Sequence, residues 1–132
     1  MAKKRVFISY DYSYDRHYKN LLVAWNENDD FDFEFTDTSV GVSVNSTDAS
    51  VIKSVITKKI KDSTHFLCLI GRYTYNSDWV EWECQKAVEL NKKIVAVKIN
   101  REYNTPLPLI GVGTSWAMSF TFDSIKNAIN NA

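Results

Sequence analysis

The segment Ser77-Asp78-Trp79-Val80-Glu81-Trp82-Glu83 brings three carboxylates and two indoles into seven residues. It reads as the start of a helix, with Ser77 or Asp78 as its cap. Side chains four apart share a helical face, so Glu83 lies on the face of Trp79. Large aromatic surface is costly to leave wet, so core, partner or ligand must cover it. An aromatic wall beside a carboxylate suits a flat, cationic, ribose-bearing ligand. Each residue also has a plainer reading. The helix dipole favours acids in the first turns, which accounts for Asp78 and Glu81 and applies to Glu83 as well. Trp79 suits either ligand contact or a wedge between helix and sheet. Trp82 suits packing or a protomer contact.

The elements that must position this segment alternate along the chain. Arg5–Tyr10 is a short apolar strand, and Asp15–Glu27 is helical, with Tyr18, Leu21, Leu22 and Trp25 on one face. Phe31–Asp37 alternates phenylalanine with polar residues, as a half-buried strand does. After the polar stretch Thr38–Thr47, a helix capped by Thr47 or Asp48 runs to about Lys61 with the stripe Val51, Ile52, Val55, Ile56 and Ile60. His65–Ile70 is a continuous apolar strand that Gly71 ends, and the loop Arg72–Asn76 leads into the Trp79 helix, which reaches about Leu90. Ile94–Ile99 is another buried strand. A loop over 100–115, with room for a short helix, precedes an alternating strand over Trp116–Phe122 and a final helix from Phe122 or Asp123.

This order predicts an α/β fold with a parallel sheet covered by helices on both faces. Strands one, three and four are continuous apolar runs and belong in the centre, whereas strands two and five alternate and belong at the edges. With right-handed crossovers the natural order is 2-1-3-4-5, the flavodoxin-like arrangement. Ligands in such sheets bind where the chain reverses direction, at the carboxyl ends of strands one and three. Two loops line that crevice: Ser9-Tyr10-Asp11-Tyr12-Ser13-Tyr14-Asp15, and Gly71 to Asn76 leading into Ser77–Glu83. Topology alone thus brings the tryptophan-acid segment to the binding edge.

Several classes are excluded or disfavoured. There is no GxxxxGK[ST] and no GxGxxG, and the chain has only four glycines. The loop after strand one is no phosphate cradle of the kind FMN requires, and strand three ends Leu69-Ile70-Gly71 without a receiver aspartate. His17 reads as a surface helix residue and His65 as a strand-start residue; no Ser-His-Asp, Cys-His or metal-ligating set is evident. Cys68 and Cys84 make neither a zinc pattern nor a secreted disulfide framework, and Cys84 aligns with Val80, Ala87 and Val88 as core. Sixteen basic residues balance sixteen acidic ones, giving a formal net charge of +0 and no pull toward nucleic acid. No apolar run reaches membrane-spanning length and no signal peptide follows Met1, so a cytoplasmic protein is expected. A chain of 132 residues suits one domain, 1–132.

The first strand, Val6-Phe7-Ile8-Ser9-Tyr10 followed by Asp11, resembles the VFISY opening of TIR domains. Ser77–Glu83 is similar to that family's SxWCxxE, with Val80 in place of cysteine. The element order resembles the family over nearly the whole chain, above all the short TIR-like (ThsB-type) proteins of bacterial Thoeris antiphage systems. The resemblance implies a flavodoxin-like fold and cleavage of the nicotinamide–ribose bond of NAD+, with NAD+ as substrate and neither metal nor separate cofactor. The family's catalytic glutamate falls on Glu83, and its substrate contacts fall on Phe7, Ser9, Tyr10 and Asp11. Trp79 or Tyr10 would stack on a flat ring, and Asp37, which also suits ending a strand, is counted with the binding residues. The resemblance further implies a phage-derived trigger, self-association on activation, and an ADP-ribose-derived signal that reaches a separate effector protein. Its cyclic or linear form would depend on the nucleophile.

One departure matters. Asp37-Thr38-Ser39-Val40-Gly41 lacks the RDxxPG pattern of receptor and adaptor TIRs, which counts against receptor-style assembly. The alternative of a non-catalytic TIR-like module that self-associates or recruits a partner stays open, as does a flavodoxin-like binder without turnover.

Overall fold

The computed structural model describes residues 4–27, 33–36 and 48–132. Its elements run β1 (Lys4–Ser9), α1 (Tyr12–Glu27), β2 (Phe33–Thr36), α2 (Ala49–Asp62), β3 (His65–Ile70), α3 (Asp78–Glu89), β4 (Lys93–Lys98), β5 (Ser115–Ala117) and α4 (Phe122–Asn131). Short 3₁₀ turns stand at Thr74–Asn76 and at Leu107–Leu109, the latter inside the long loop after β4. The five strands form one parallel sheet in the order β2-β1-β3-β4-β5. The expected order and the flavodoxin-like fold class are therefore both observed.

Strand periodicity explains how the two faces are filled. Val6, Ile8, Leu67, Leu69, Val95 and Val97 point to one face, where Leu22 of α1 and Ile125, Ala128 and Ile129 of α4 complete a core. Phe7, Phe66, Cys68, Ile70, Ile94 and Ala96 point to the other, against Ile56 and Ile60 of α2 and Val80, Cys84 and Ala87 of α3. Strands buried on both faces need continuous apolar sequence, which is why β1, β3 and β4 read as central from residue types alone.

Two boundaries differ from the sequence reading, each for a local reason. Helix α1 starts at Tyr12, not Asp15, because Asp11 caps it: its Oδ1 accepts the Ser13 amide at 3.0 Å and its carbonyl accepts the Asp15 amide at 2.8 Å. Strand β5 ends at Ala117, the partner of Val97, so the alternating Trp116–Phe122 run is only partly strand. Phe120 and Phe122 turn back instead onto Trp25, at ring separations of 5.4 and 6.3 Å, and Thr121 caps α4 by accepting the Ser124 amide at 3.3 Å. Strand β2 is described over Phe33–Thr36, and the outer residues of the expected Phe31–Asp37 strand lie outside the described residues.

His65 at the start of β3 is buried, and its Nε2 has no hydrogen-bond partner among the described residues, while Nδ1 lies 2.8 Å from the Thr64 hydroxyl. Burial, with the positive charges of Lys93 and Lys4 adding to it, lowers its pKa to about 4. A histidine with a depressed folded pKa favours the native state above its unfolded value near 6.5, and that contribution is lost as the pH falls toward the folded value. Wild-type stability should therefore drop by roughly 2–3 kcal/mol more than that of a His65→Leu variant between pH 7 and pH 4.5. Urea unfolding at the two pH values checks this; parallel losses in both proteins would remove His65 as the cause.

Candidate active site

Period-two alternation puts Ser9 on the same face of β1 as Phe7, toward α3. On α3 the apolar stripe Val80, Cys84, Ala87 passes through position 83, so Glu83 enters the same interior. The two meet: the Ser9 hydroxyl donates to Glu83 Oε1 at 2.8 Å, a buried contact across 74 residues of chain. Glu83 is only 4% exposed. A buried carboxylate is costly unless hydrogen-bonded, and Ser9 supplies one such bond.

Above this pair lies a cleft of about 120 Å³ lined by Tyr10, Asp11, Tyr12, Ser13, Ser77, Trp79 and Glu83. It sits at the carboxyl ends of β1 and β3, the switch point that the topology singles out. Ser77 caps α3, its Oγ accepting the Val80 amide at 3.3 Å, and so fixes the start of the helix that carries Trp79 and Glu83. Trp79 is half-buried, edge-on to Trp82 at a ring separation of 5.9 Å, so it serves as both cleft wall and packing surface. Trp82 packs on the α2–α3 side with the ammonium groups of Lys53 and Lys86 at 5.6 and 5.7 Å from its ring. Tyr10 is largely buried in the opposite core while still lining the cleft.

Of the binding residues expected from sequence, Ser9, Tyr10, Asp11 and Trp79 gather around Glu83. Phe7 does not line the cleft. Its ring is fully buried and stacks on Phe66 at 5.8 Å with a 9° tilt, beneath the site. Asp37 lies outside the described residues. Cys84 follows Glu83 in sequence but points into the core; burial first, then its neighbour Cys68, raises its pKa well above the usual value, so it stays a thiol. Two larger hollows lie further along the edge. One, of about 250 Å³, is lined by Tyr75, Asn76, Asp78, Glu81, Pro106 and Leu107; the other, of about 550 Å³, includes Lys98, Arg101 and Tyr103. Neither is lined by a buried carboxylate, which is what distinguishes the Glu83 cleft.

Sequence reasoning missed Asp15 and Thr74. Both are buried, and the Thr74 hydroxyl lies 3.1 Å from Asp15 Oδ2. The signal was available in principle, because an Asp11 cap places Asp15 in the first turn of α1, but the tyrosine run hid the true helix start. Among the described residues no His, Cys, Asp and Glu side chains cluster as a metal site requires, and no helix is long and apolar enough to cross a membrane.

The sequence profile of the family described as Thoeris protein ThsB, TIR-like domain, matches residues 7–104. The chain belongs to this ThsB TIR-like family. The match includes Phe7–Ser9 of β1, the Glu83 segment and the site between them. Among solved structures, this ThsB-type chain is similar to the Clostridium botulinum CMP N-glycosidase BcmB, with 14% identity and a TM-score of 0.62 over 96% of this chain and 99% of that one. It is also similar to a 2-deoxyribosyltransferase from Bacillus psychrosaccharolyticus, with 11% identity and a TM-score of 0.68 over 93% and 90% of the two chains. The TIR domains of the activated Roq1 resistosome align with 19% identity and a TM-score of 0.54 over 73% of this chain and 57% of theirs. At these identities the likeness is one of fold. No curated protein sequence matches the chain.

Proposed function

We propose that this ThsB-type TIR-like protein cleaves the nicotinamide–ribose bond of NAD+ and converts the ADP-ribose portion into a small-molecule signal for a separate effector. The observation that carries this reading is Glu83, a buried carboxylate held by Ser9 at 2.8 Å and lining a cleft walled by Trp79. Nicotinamide leaves with the electron pair of the breaking C–N bond and becomes neutral, so no proton donor is needed. The sugar carbon passes through an oxocarbenium-like state. A fixed carboxylate stabilises that developing charge and accepts hydrogen bonds from the ribose hydroxyls. Trp79, with Tyr10 beside it, offers a flat surface for the departing ring. Addition of water, with loss of its proton, gives ADP-ribose; attack by another atom of the same molecule gives a cyclic product.

Two further facts support the reading. Two structural neighbours are named as an N-glycosidase acting on CMP and as a deoxyribosyltransferase used to make nucleosides, so this sheet hosts such activities in other proteins. The cleft, at about 120 Å³, is well below the roughly 300–1,000 Å³ of a pocket that encloses a whole ligand. A cleft of that size would take one end of a dinucleotide, and the Glu83 carboxylate in it favours the nicotinamide–ribose end.

The test is chromatography of NAD+ incubated with concentrated protein, with and without lysate from phage-infected cells; nicotinamide should appear with an ADP-ribose-derived product. Ser9→Ala should lower kcat about tenfold by removing one of the contacts that orient the Glu83 carboxylate, with a stability cost of about 1–3 kcal/mol. An unchanged kcat in this variant would show that Ser9 does not orient Glu83. The second reading is an interaction module, favoured by the exposed apolar side chains Leu107, Ile110 and Val112 in the segment before β5 and Trp116 and Met118 in and just after that strand. It requires that a Glu83→Gln protein retain full defence in cells.

A further inference from the structure

Among the described residues the buried carboxylates are Glu83 and Asp15, and the reaction proposed above uses only the first. Asp15 projects from the first turn of α1, just after Tyr12 and Ser13, which line one wall of the cleft. Thr74 opens the 3₁₀ turn that leads to Ser77 and Trp79 on the other wall. The Thr74 oxygen accepts the Gly71 amide at 2.8 Å, and its hydroxyl proton faces two acceptors, Asp15 Oδ2 at 3.1 Å and the Leu69 carbonyl at 3.3 Å. Gly71 completes the contact by having no side chain: a Cβ there would collide with the Asp15 carboxylate. The carboxyl is therefore pressed against the backbone at the end of β3. Burial raises its pKa, the Thr74 hydrogen bond pulls it down, the charge of Asp11 raises it and that of His17 lowers it. An acid kept in so dry a place costs stability that an apolar residue would not. What it gains is a directional bond between the first turn of α1 and the turn that follows β3.

We propose that Asp15, Thr74 and Gly71 form a clasp that sets the two walls of the Glu83 cleft at their working separation, with Asp15 as a positioning residue. Reaction rates fall steeply when reacting groups are misplaced by about an ångström, so loss of the clasp should act on catalysis through geometry. This consequence for turnover rests on the NAD+ cleavage reading; the clasp itself does not.

The test compares Asp15→Ala, Asp15→Asn and Thr74→Val, each assayed well below its unfolding temperature. Asn keeps an oxygen acceptor for the Thr74 hydroxyl, whereas Ala and Val remove one partner each. Asp15→Ala and Thr74→Val should lose about tenfold or more in kcat/KM for NAD+, and Asp15→Asn should stay within about threefold of wild type. Amide hydrogen exchange should accelerate in residues 10–15 and 71–77 of the first two variants, with α4 unchanged. If Asp15→Ala does not fold, Thr74→Val carries both measurements. Wild-type kcat/KM in the variants, damage in Asp15→Asn equal to that in Asp15→Ala, or acceleration spread evenly over the protein would each overturn the clasp. Should the wild type release no nicotinamide, the NAD+ reading fails and hydrogen exchange alone decides whether the clasp stands.

Discussion

Replacing Glu83 by glutamine is expected to slow nicotinamide release from NAD+ by about 100- to 1,000-fold while leaving a folded protein. The substitution keeps the shape of the side chain and exchanges the charge and one acceptor oxygen for an amide NH2. A Gln side chain fills the same buried space on α3, and its Oε1 can still accept the Ser9 hydroxyl, which lies 2.8 Å from the Glu83 oxygen. Stability should therefore move little. What disappears is the negative charge opposed to a sugar carbon that becomes positive as the C–N bond breaks. A preorganised charge in a water-poor site is worth several kcal/mol to such a transition state, and a neutral amide supplies only a fraction of it. Chromatography of NAD+ and nicotinamide against time, on protein whose fold is checked by its unfolding curve, gives the result directly. Turnover at the wild-type rate in a normally folded Glu83→Gln protein would remove Glu83 from the chemistry and with it the assignment of this cleft.

The sheet was readable from sequence because burial leaves a pattern. HFLCLI and the apolar core of the Ile94 run demand neighbours on both sides, and FDFEF does not, so the centre and one edge of the sheet follow from residue types alone. Once that order is set, Ser9 and Ser77–Glu83 must come together, although they are far apart in the chain. The depth of the pairing was less accessible. An acid in the stripe Val80, Cys84, Ala87 is a sign of burial, yet the dipole reading of a helix start explains the same acid just as well. Only the Ser9 contact separates them. WAMSFTF misled because alternation of large apolar residues serves a strand and also a loop whose rings fold back on a helix; Phe120 and Phe122 do the latter against Trp25. Asp15 escaped notice for a different reason: its role depends on Gly71 and Thr74 arriving from another loop, and no local pattern encodes that meeting.

Phe7 is where the resemblance and the coordinates divide, and a stability measurement should divide them further. Phe7→Ala is expected to lower the unfolding free energy by about 3–5 kcal/mol, a large share of what an ordinary domain possesses. The ring is fully buried, stacked on Phe66, and enclosed on the sheet face that carries Ile56, Ile60, Val80 and Cys84. Removing it leaves a cavity that neighbouring strands, fixed by their ladders, cannot collapse to fill. Phe7→Leu keeps most of the volume and should cost far less. If Phe7 acts only as core, the folded fraction of both variants turns over NAD+ within a few-fold of wild type, and lost activity tracks lost fold in denaturant titrations. If Phe7 contacts substrate, as the family pattern implies, Phe7→Leu should lose activity on the scale of Glu83→Gln while its unfolding midpoint barely moves. The buried position favours the first outcome. Ser9, two residues on and on the same face, is the β1 residue that reaches the carboxylate, and Phe7 supports it from below.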